Sequence, residues 1–261
     1  MKKIPDLITV SFLLSAMSGC GEALMDYSVD TGTPVVESYL QEGASALSVK
    51  VYSMEVYLKD DYKLSKPISG LQVNVNGREL AETSSGAYSL DLGSDTIREN
   101  QQYALQFEYN NKSVEAVATV PSPVRNLRVE PESLEITTSG YFWNDSDTTE
   151  VIVTWDDAGD GYYQVYIESP NTSDMPSLGI FGQRMMQPFR GNTHRATARD
   201  FRSAGVHWIY VYRVNKDYVD LYERISSSDL ANPVSSIHNA FGIFTSLSVA
   251  RVRVSAYESS E

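Results

Sequence analysis

Cationic side chains are scarce in this chain. Of its 261 residues, 21 are Lys or Arg and 34 are Asp or Glu, a formal net charge of −13. A surface built to track phosphate backbones carries the opposite sign, so nucleic acid is not an expected partner. Cysteine occurs once, which excludes an internal disulfide and a thiolate zinc cluster. The histidines are His194, His207 and His238. None lies at metal-ligand spacing from another, so a catalytic zinc site is not expected. There is no Gly-x-Ser-x-Gly elbow, no Ser-x-x-Lys motif and no glycine-rich phosphate loop. With Gly at 16 and Pro at 10, collagen-like and low-complexity architectures are excluded too. These absences argue for a protein that is not an enzyme and holds no cofactor.

Long apolar runs are also missing. The one near the start, residues 7–14, is far short of the ~20 apolar residues that span a bilayer. With Lys2 and Lys3 before it, it has the form of a signal-peptide core. Leu14-Ser15-Ala16-Met17-Ser18-Gly19 then leads directly into Cys20. This resembles the lipobox of bacterial lipoproteins: small residues admit the peptidase, and the Cys20 thiol accepts the lipid that anchors the chain. The expected layout is a lipoprotein signal peptide over 1–19, an acidic tether over 20–33, and a folded body beyond. The expected place is the bacterial outer membrane, on its periplasmic side or at the cell surface, with the membrane held through the N-terminal lipid.

The body alternates at period 2, which predicts strands. Leu71, Val73 and Val75 are apolar between polar neighbours, and Asn76-Gly77 follows as a type I′ hairpin signal. Tyr103, Leu105, Phe107 and Tyr109 alternate up to Asn110-Asn111, and Val114, Ala116, Ala118 and Val120 alternate after it. Pro121-Ser122-Pro123 is a stiff break. Beyond it, Val151, Val153 and Trp155, a polar turn, then Tyr163, Val165 and Ile167 resemble the B–C region of a fibronectin type III domain. Residues 206–214 form an apolar and aromatic run, and Val252 and Val254 face away from Arg251 and Arg253. Tyr218, Leu221, Tyr222 and Ile225 make a single helical stripe, placing a helix near 217–227. The fold class is therefore all-β: two tandem β-sandwich domains, 34–120 and 121–261, the second with that short helix inserted before its last strand.

One segment departs from the acidic balance. Residues 183–213 hold Arg184, Arg190, Arg195, Arg199, Arg202 and Arg213 against Asp200 alone, with Phe189, Phe201 and Trp208 interleaved and Phe181 just before them. Arginine forks grip carboxylates in two-pronged geometry, and aromatic faces stack on sugars or guanidinium groups. Arg184, Arg190, Arg195, Arg199, Arg202 and Trp208 are thus a candidate patch for an acidic ligand, against the plainer reading of solvated or internally paired arginines on edge strands. Asp145, Asp147, Asp156, Asp157 and Asp160 offer oxygens at the short spacing calcium tolerates, though Asp and Gly also build ordinary strand-connecting turns.

Several segments together resemble a large family of uncharacterised outer-membrane lipoproteins of Bacteroidetes-type bacteria whose members carry a domain-of-unknown-function label. They are Cys20 with its acidic leader, the opening strand from Pro34 to Leu40, Pro67-Ile68-Ser69-Gly70 with the alternating residues after it, the 103–121 hairpin, and Asn239-Ala240-Phe241-Gly242 with the aromatic loop before the final strand. The resemblance implies a carboxypeptidase-regulatory-like first sandwich, a fibronectin type III-like second one, and genes often near TonB-dependent transport systems. It implies no activity. The expected function is a non-catalytic envelope protein in a binding or accessory role, partnered by an outer-membrane transporter or a glycan. A structural or adhesive surface lipoprotein is the alternative, and a hydrolase the least favoured.

Overall fold

The computed structural model describes residues 32–53, 66–136, 149–156, 159, 161–170, 187–201, 203–226 and 235–258. Turn chemistry shapes the first half. Asn76 and Gly77 both take positive φ, 51° and 72°, and Asn110 and Asn111 do the same at 49° and 58°. That is the backbone a two-residue hairpin needs to match strand twist. The strands are β1 (Pro34–Gln41), β2 (Ala46–Ser53), β3 (Lys66–Pro67), β4 (Asn74–Val75), β5 (Arg78–Glu79), β6 (Ala81–Ser84), β7 (Ala87–Asp91), β8 (Gln102–Tyr109) and β9 (Lys112–Thr119). Past the Pro121-Ser122-Pro123 break come β10 (Arg128–Glu130), β11 (Ser133–Ile136), β12 (Glu150–Thr154), β13 (Tyr162–Glu168), β14 (Phe189–Arg190), β15 (Thr193–Thr197) and β16 (Gly205–Val214). The helix α1 (Lys216–Ser226) and the long strand β17 (Phe241–Glu258) complete the described elements.

The fold is all-β, and among the described residues only α1 and one 3-10 turn, Ala198–Asp200, are helical. A large sheet runs β14-β13-β16-β17-β1-β2-β7-β6, with β11 on β17 and β3 on β2. Two small sheets cover separate parts of it. The sheet β5-β4-β8-β9 supplies Val75, Leu105, Phe107 and Val114 to a core completed by Val36, Leu40, Val49, Val51 and Tyr88 from β1, β2 and β7. The sheet β10-β12-β15 supplies Val129, Val151, Val153 and Ala196 to a second core, opposite Tyr163, Val165, Ile209, Val211 and Val254. Each is a sandwich, because each sheet has one apolar face that must be buried against another. In the second, three strands face the run β14-β13-β16-β17, the layering of an immunoglobulin or fibronectin type III sandwich.

The last strand begins earlier than its alternating residues suggest. Residues 241–246, read from sequence as a loop, are already extended and pair in parallel with β1, Val35 opposite Phe241 through Gln41 opposite Leu247. The rest of β17 pairs antiparallel with β16, Val214 opposite Leu247 through Gly205 opposite Ala256. One strand thus serves both sandwiches, and Ile237, Ala240 and Phe244 are buried in the first core.

The same stretch closes an open edge. β9 ends its sheet, and an unpaired edge invites association. Here Glu115 and His238 exchange backbone hydrogen bonds at 3.4 and 2.8 Å. Asn239 Nδ2 donates to the Ser113 carbonyl at 2.8 Å, and Asn215 Nδ2 and Ser246 Oγ donate to that of Thr119 at 3.0 and 2.8 Å.

Helix α1 lies within one residue of its expected bounds. Its first turn is anchored from the sheet: Asp217 Oδ1 accepts from the Tyr218 backbone N–H and from Thr245 Oγ1, both at 2.9 Å. Burial pushes the Asp217 carboxyl above its ordinary value, although both hydrogen bonds pull it down. A carboxyl whose folded pKa is raised favours folding most when protonated, and its contribution falls as pH rises through the raised value. Asp217→Asn keeps an acceptor and removes the charge. The variant is expected to gain stability relative to wild type as pH rises from about 4, where an unfolded aspartate ionises, and to level off above the folded pKa. Thermal melts across that range check it. A constant difference between the proteins would refute the assignment.

Candidate functional site

The described members of the arginine-rich segment are placed by a change of layer. β14 pairs with β13 in the large sheet, whereas β15, a few residues later, pairs with β12 in the small one. Arg190 therefore lies at the large sheet's edge, its guanidinium 4.3 Å from the Tyr162 ring centre and donating to Tyr162 Oη at 2.6 Å. Arg195 lies in the opposite layer, ion-paired with Glu150 at 2.6 Å. Arg199 is exposed on the 3-10 turn, and Arg213 donates to the Ser122 carbonyl at 3.4 Å. Arg190 and Trp208 share the outer face of the large sheet, and Arg195 does not. Arg184, Arg202, Cys20, Asp145, Asp147, Asp157 and Asp160 lie outside the described residues. Asp156 accepts from Asn126 Nδ2 at 2.6 Å, a tie between two loops. Among the described residues no three His, Cys, Asp or Glu side chains converge as metal ligands.

The histidines occupy three different elements. His238 meets β9. His207 is fully buried on β16, its Nε2–H donating to the Ser203 carbonyl at 2.8 Å, its ring edge-on to Phe201. His194, on β15, packs against Phe189 with ring centres 6.0 Å apart, and burial pushes its pKa down.

What the structure assembles is a face that residue spacing alone did not reveal. On β13, β16 and β17 the odd residues of β16 enter the second core, and the even ones form the opposite surface. Register aligns three outer rows: Gln164, Tyr212 and Val249; Tyr166, Tyr210 and Arg251; Glu168, Trp208 and Arg253. Helix α1 covers the first, where the Tyr218 hydroxyl donates to Gln164 Oε1 at 2.9 Å. The other two rows reach solvent through exposed Arg251 and Arg253 and half-buried Tyr166, Glu168 and Trp208. Exposed Val206, and Tyr257 further along β17, extend the same face.

The polar atoms there are wired together. Arg251 lies over the Trp208 ring, 4.4 Å from its centre, and its Nη1 donates to Tyr210 Oη at 3.4 Å. That hydroxyl donates to Glu168 Oε2 at 2.7 Å. Burial and the Glu168 hydrogen bond push the Tyr210 pKa up, so the phenol stays a donor. Arg251 is thus held over an indole, with most of its N–H donors unused by these contacts. Arg253, the cross-strand neighbour of Trp208, has no ion-pair partner among the described residues. The arrangement can present a pre-oriented cationic fork beside aromatic and aliphatic surface. Arg251 and Arg253 lie on β17, well beyond residues 183–213, and Tyr166 and Glu168 on β13 before them; only strand pairing brings the four beside Trp208.

Comparison with solved structures returns alignments of low identity and low TM-score. A cytokine receptor complex aligns at 11% identity over 84% of this chain and 95% of the other, TM-score 0.29. The central fibronectin-III array of RIM-binding protein aligns at 11% over 88% and 71%, TM-score 0.23. The ectodomain of mouse nectin-like molecule 4 aligns at 9% over 87% and 65%, TM-score 0.22. The two sandwiches stand on their own strand order and cores, independently of these likenesses. No curated protein matches the chain. A family model does match, over residues 24–253, which takes in α1, nearly all of both sandwiches and most of the shared strand. The chain belongs to the family described as Domain of unknown function (DUF4249).

Proposed function

We propose that this protein is a lipid-anchored, non-catalytic component of the bacterial outer membrane that binds an acidic glycan on the outer face of its large sheet. The observation that carries the reading is Arg251, stacked on Trp208 and tied to Tyr210, with Arg253 on the neighbouring position of the same strand. A uronic-acid carboxylate would take the two-pronged fork of Arg251, with Arg253 adding charge. Apolar sugar faces would rest on Trp208, Tyr166 and Val206. In a chain of net charge −13, an exposed arginine pair beside aromatics is suited to select one acidic ligand while the rest of the surface repels others. The signal-peptide form of residues 1–19 and the lipobox ending at Cys20 support the anchor.

Binding to polygalacturonate, followed by affinity electrophoresis and calorimetry, tests the ligand. Wild type is expected to bind the polyuronate and not a neutral glucan. Arg251→Glu with Arg253→Glu is expected to lose binding by more than about tenfold while keeping the wild-type melting curve. Raised salt weakens the interaction because the pair is solvent-exposed. Undiminished binding by the folded double variant would sink the proposal. The anchor has its own test: Cys20→Ser is expected to abolish incorporation of labelled palmitate and move the protein from the membrane to the soluble fraction. A Cys20→Ser variant that still incorporates label would refute the lipid site.

A further inference from the structure

The first sandwich is not closed at the end near the β4–β5 hairpin. Strands β4 and β5 are two residues each, whereas β2 and β7 beneath them run eight and five. The small sheet therefore stops short, and a cleft of about 350 Å³ opens between the layers. Its apolar wall comes from both sheets: Leu47 and Leu90 from one, Val75 and Tyr103 from the other. Leu90 is half-buried, a core-type side chain left partly uncovered. The rim is polar and carries two arginines. Arg98 is paired with Asp95 at 3.0 Å. Arg78 has only a long contact, its Nη2 donating to the Asp91 carbonyl at 3.4 Å.

We propose that this cleft is a binding site for a small amphipathic anion, an aryl or short acyl chain bearing one carboxylate or sulfonate. The volume is in the lower range of small-molecule sites, which combine apolar walls with a few placed polar groups. Arg98 shares its charge with Asp95 in an exposed ion pair, whereas Arg78 reaches a backbone carbonyl alone, so Arg78 is the rim cation best placed to match one negative charge. An anion there would gain a charge-assisted hydrogen bond that the backbone carbonyl now supplies weakly. The apolar body would cover Leu90 and Leu47 and complete the end of the core. The site lies in the first sandwich and does not depend on the glycan face in the second.

Titration of the full chain with 8-anilinonaphthalene-1-sulfonate, an aromatic sulfonate whose fluorescence rises on leaving water, tests the proposal. The expected result is saturable one-site enhancement. Arg78→Glu is expected to weaken it about tenfold or more. Thr96→Trp, which places a ring at an exposed rim position without touching the core, is expected to block it. Octanoate is expected to displace the probe and neutral octanol is not. Trp208→Ala is expected to leave binding unchanged, separating this site from the glycan face. The absence of saturable binding to wild type would overturn the proposal. So would wild-type affinity in a folded Arg78→Glu variant, or displacement by octanol as effective as by octanoate.

Discussion

Replacing Gly242 by valine is expected to cost about 3 kcal/mol of stability and to lower the melting temperature by roughly 6–12 °C for a body of this size. Gly242 takes φ of +97°, a region that residues with side chains rarely occupy. It also sits directly across from Val36 in the parallel pairing of β17 with β1. A Cβ there would collide with the Val36 carbonyl oxygen and lie 3.0 Å from the carbonyl carbon, both of them backbone of a central strand. Neither atom can move without breaking the pairing that joins the two sandwiches. Gly77 is the control. Its φ is +72°, but nothing stands within 4 Å of an added Cβ, so Gly77→Val carries the conformational cost alone. Equal melting temperatures for the two variants would show that close approach to β1 contributes nothing.

Phe244→Ala is expected to cost about 3–5 kcal/mol, the range for truncating a fully buried aromatic. Phe244 is 0% exposed and packs in the first core, though it lies far beyond the Pro121-Ser122-Pro123 break. Its strand continues into the second core through Val254 and Ala256. A cavity at Phe244 therefore weakens a strand both sandwiches need. Of the chain's three tryptophans, the two described ones belong to the second sandwich, Trp155 in its core and Trp208 on β16, so their fluorescence reports that sandwich, while far-ultraviolet circular dichroism reports both. In the Phe244→Ala variant the two probes are expected to shift together to a lower midpoint. An unchanged fluorescence midpoint beside a split dichroism transition would mean that the sandwiches unfold independently.

The glycan face and the first-sandwich cleft share one origin. Each is a place where a sheet is wider than what covers it. Helix α1 seals the outer face around Tyr212, Ile243 and Leu247, while Trp208 at the margin of that cluster stays half-buried and Arg251 exposed. The β4–β5 hairpin stops short of Leu90. Sandwiches host many functions, so the functional reading rests on these uncovered surfaces and their named side chains, not on the architecture.

Local chemistry was legible along the chain. The Asn76-Gly77 and Asn110-Asn111 turns, the period-2 strands β8 and β9 on both sides of the second turn, the helical stripe on α1 and the opposed faces of Arg251 and Val252 all follow from alternation and φ preference, which neighbouring residues determine among themselves, whereas of the alternating residues 71–75 only Asn74 and Val75 pair as strand. The all-β class follows with them. Pairing across the chain was not legible. Nothing in Asn239-Ala240-Phe241-Gly242 shows that it extends into a strand beside β1, because the reason is a partner some 200 residues away whose carbonyl leaves no room for a side chain. The candidate site divides in the same way. The aromatic run with Trp208 was visible in sequence. Its union with Arg251, Arg253, Tyr166 and Glu168 was decided by the register of three strands, which is set when both faces of the sheet find cover in the folded chain.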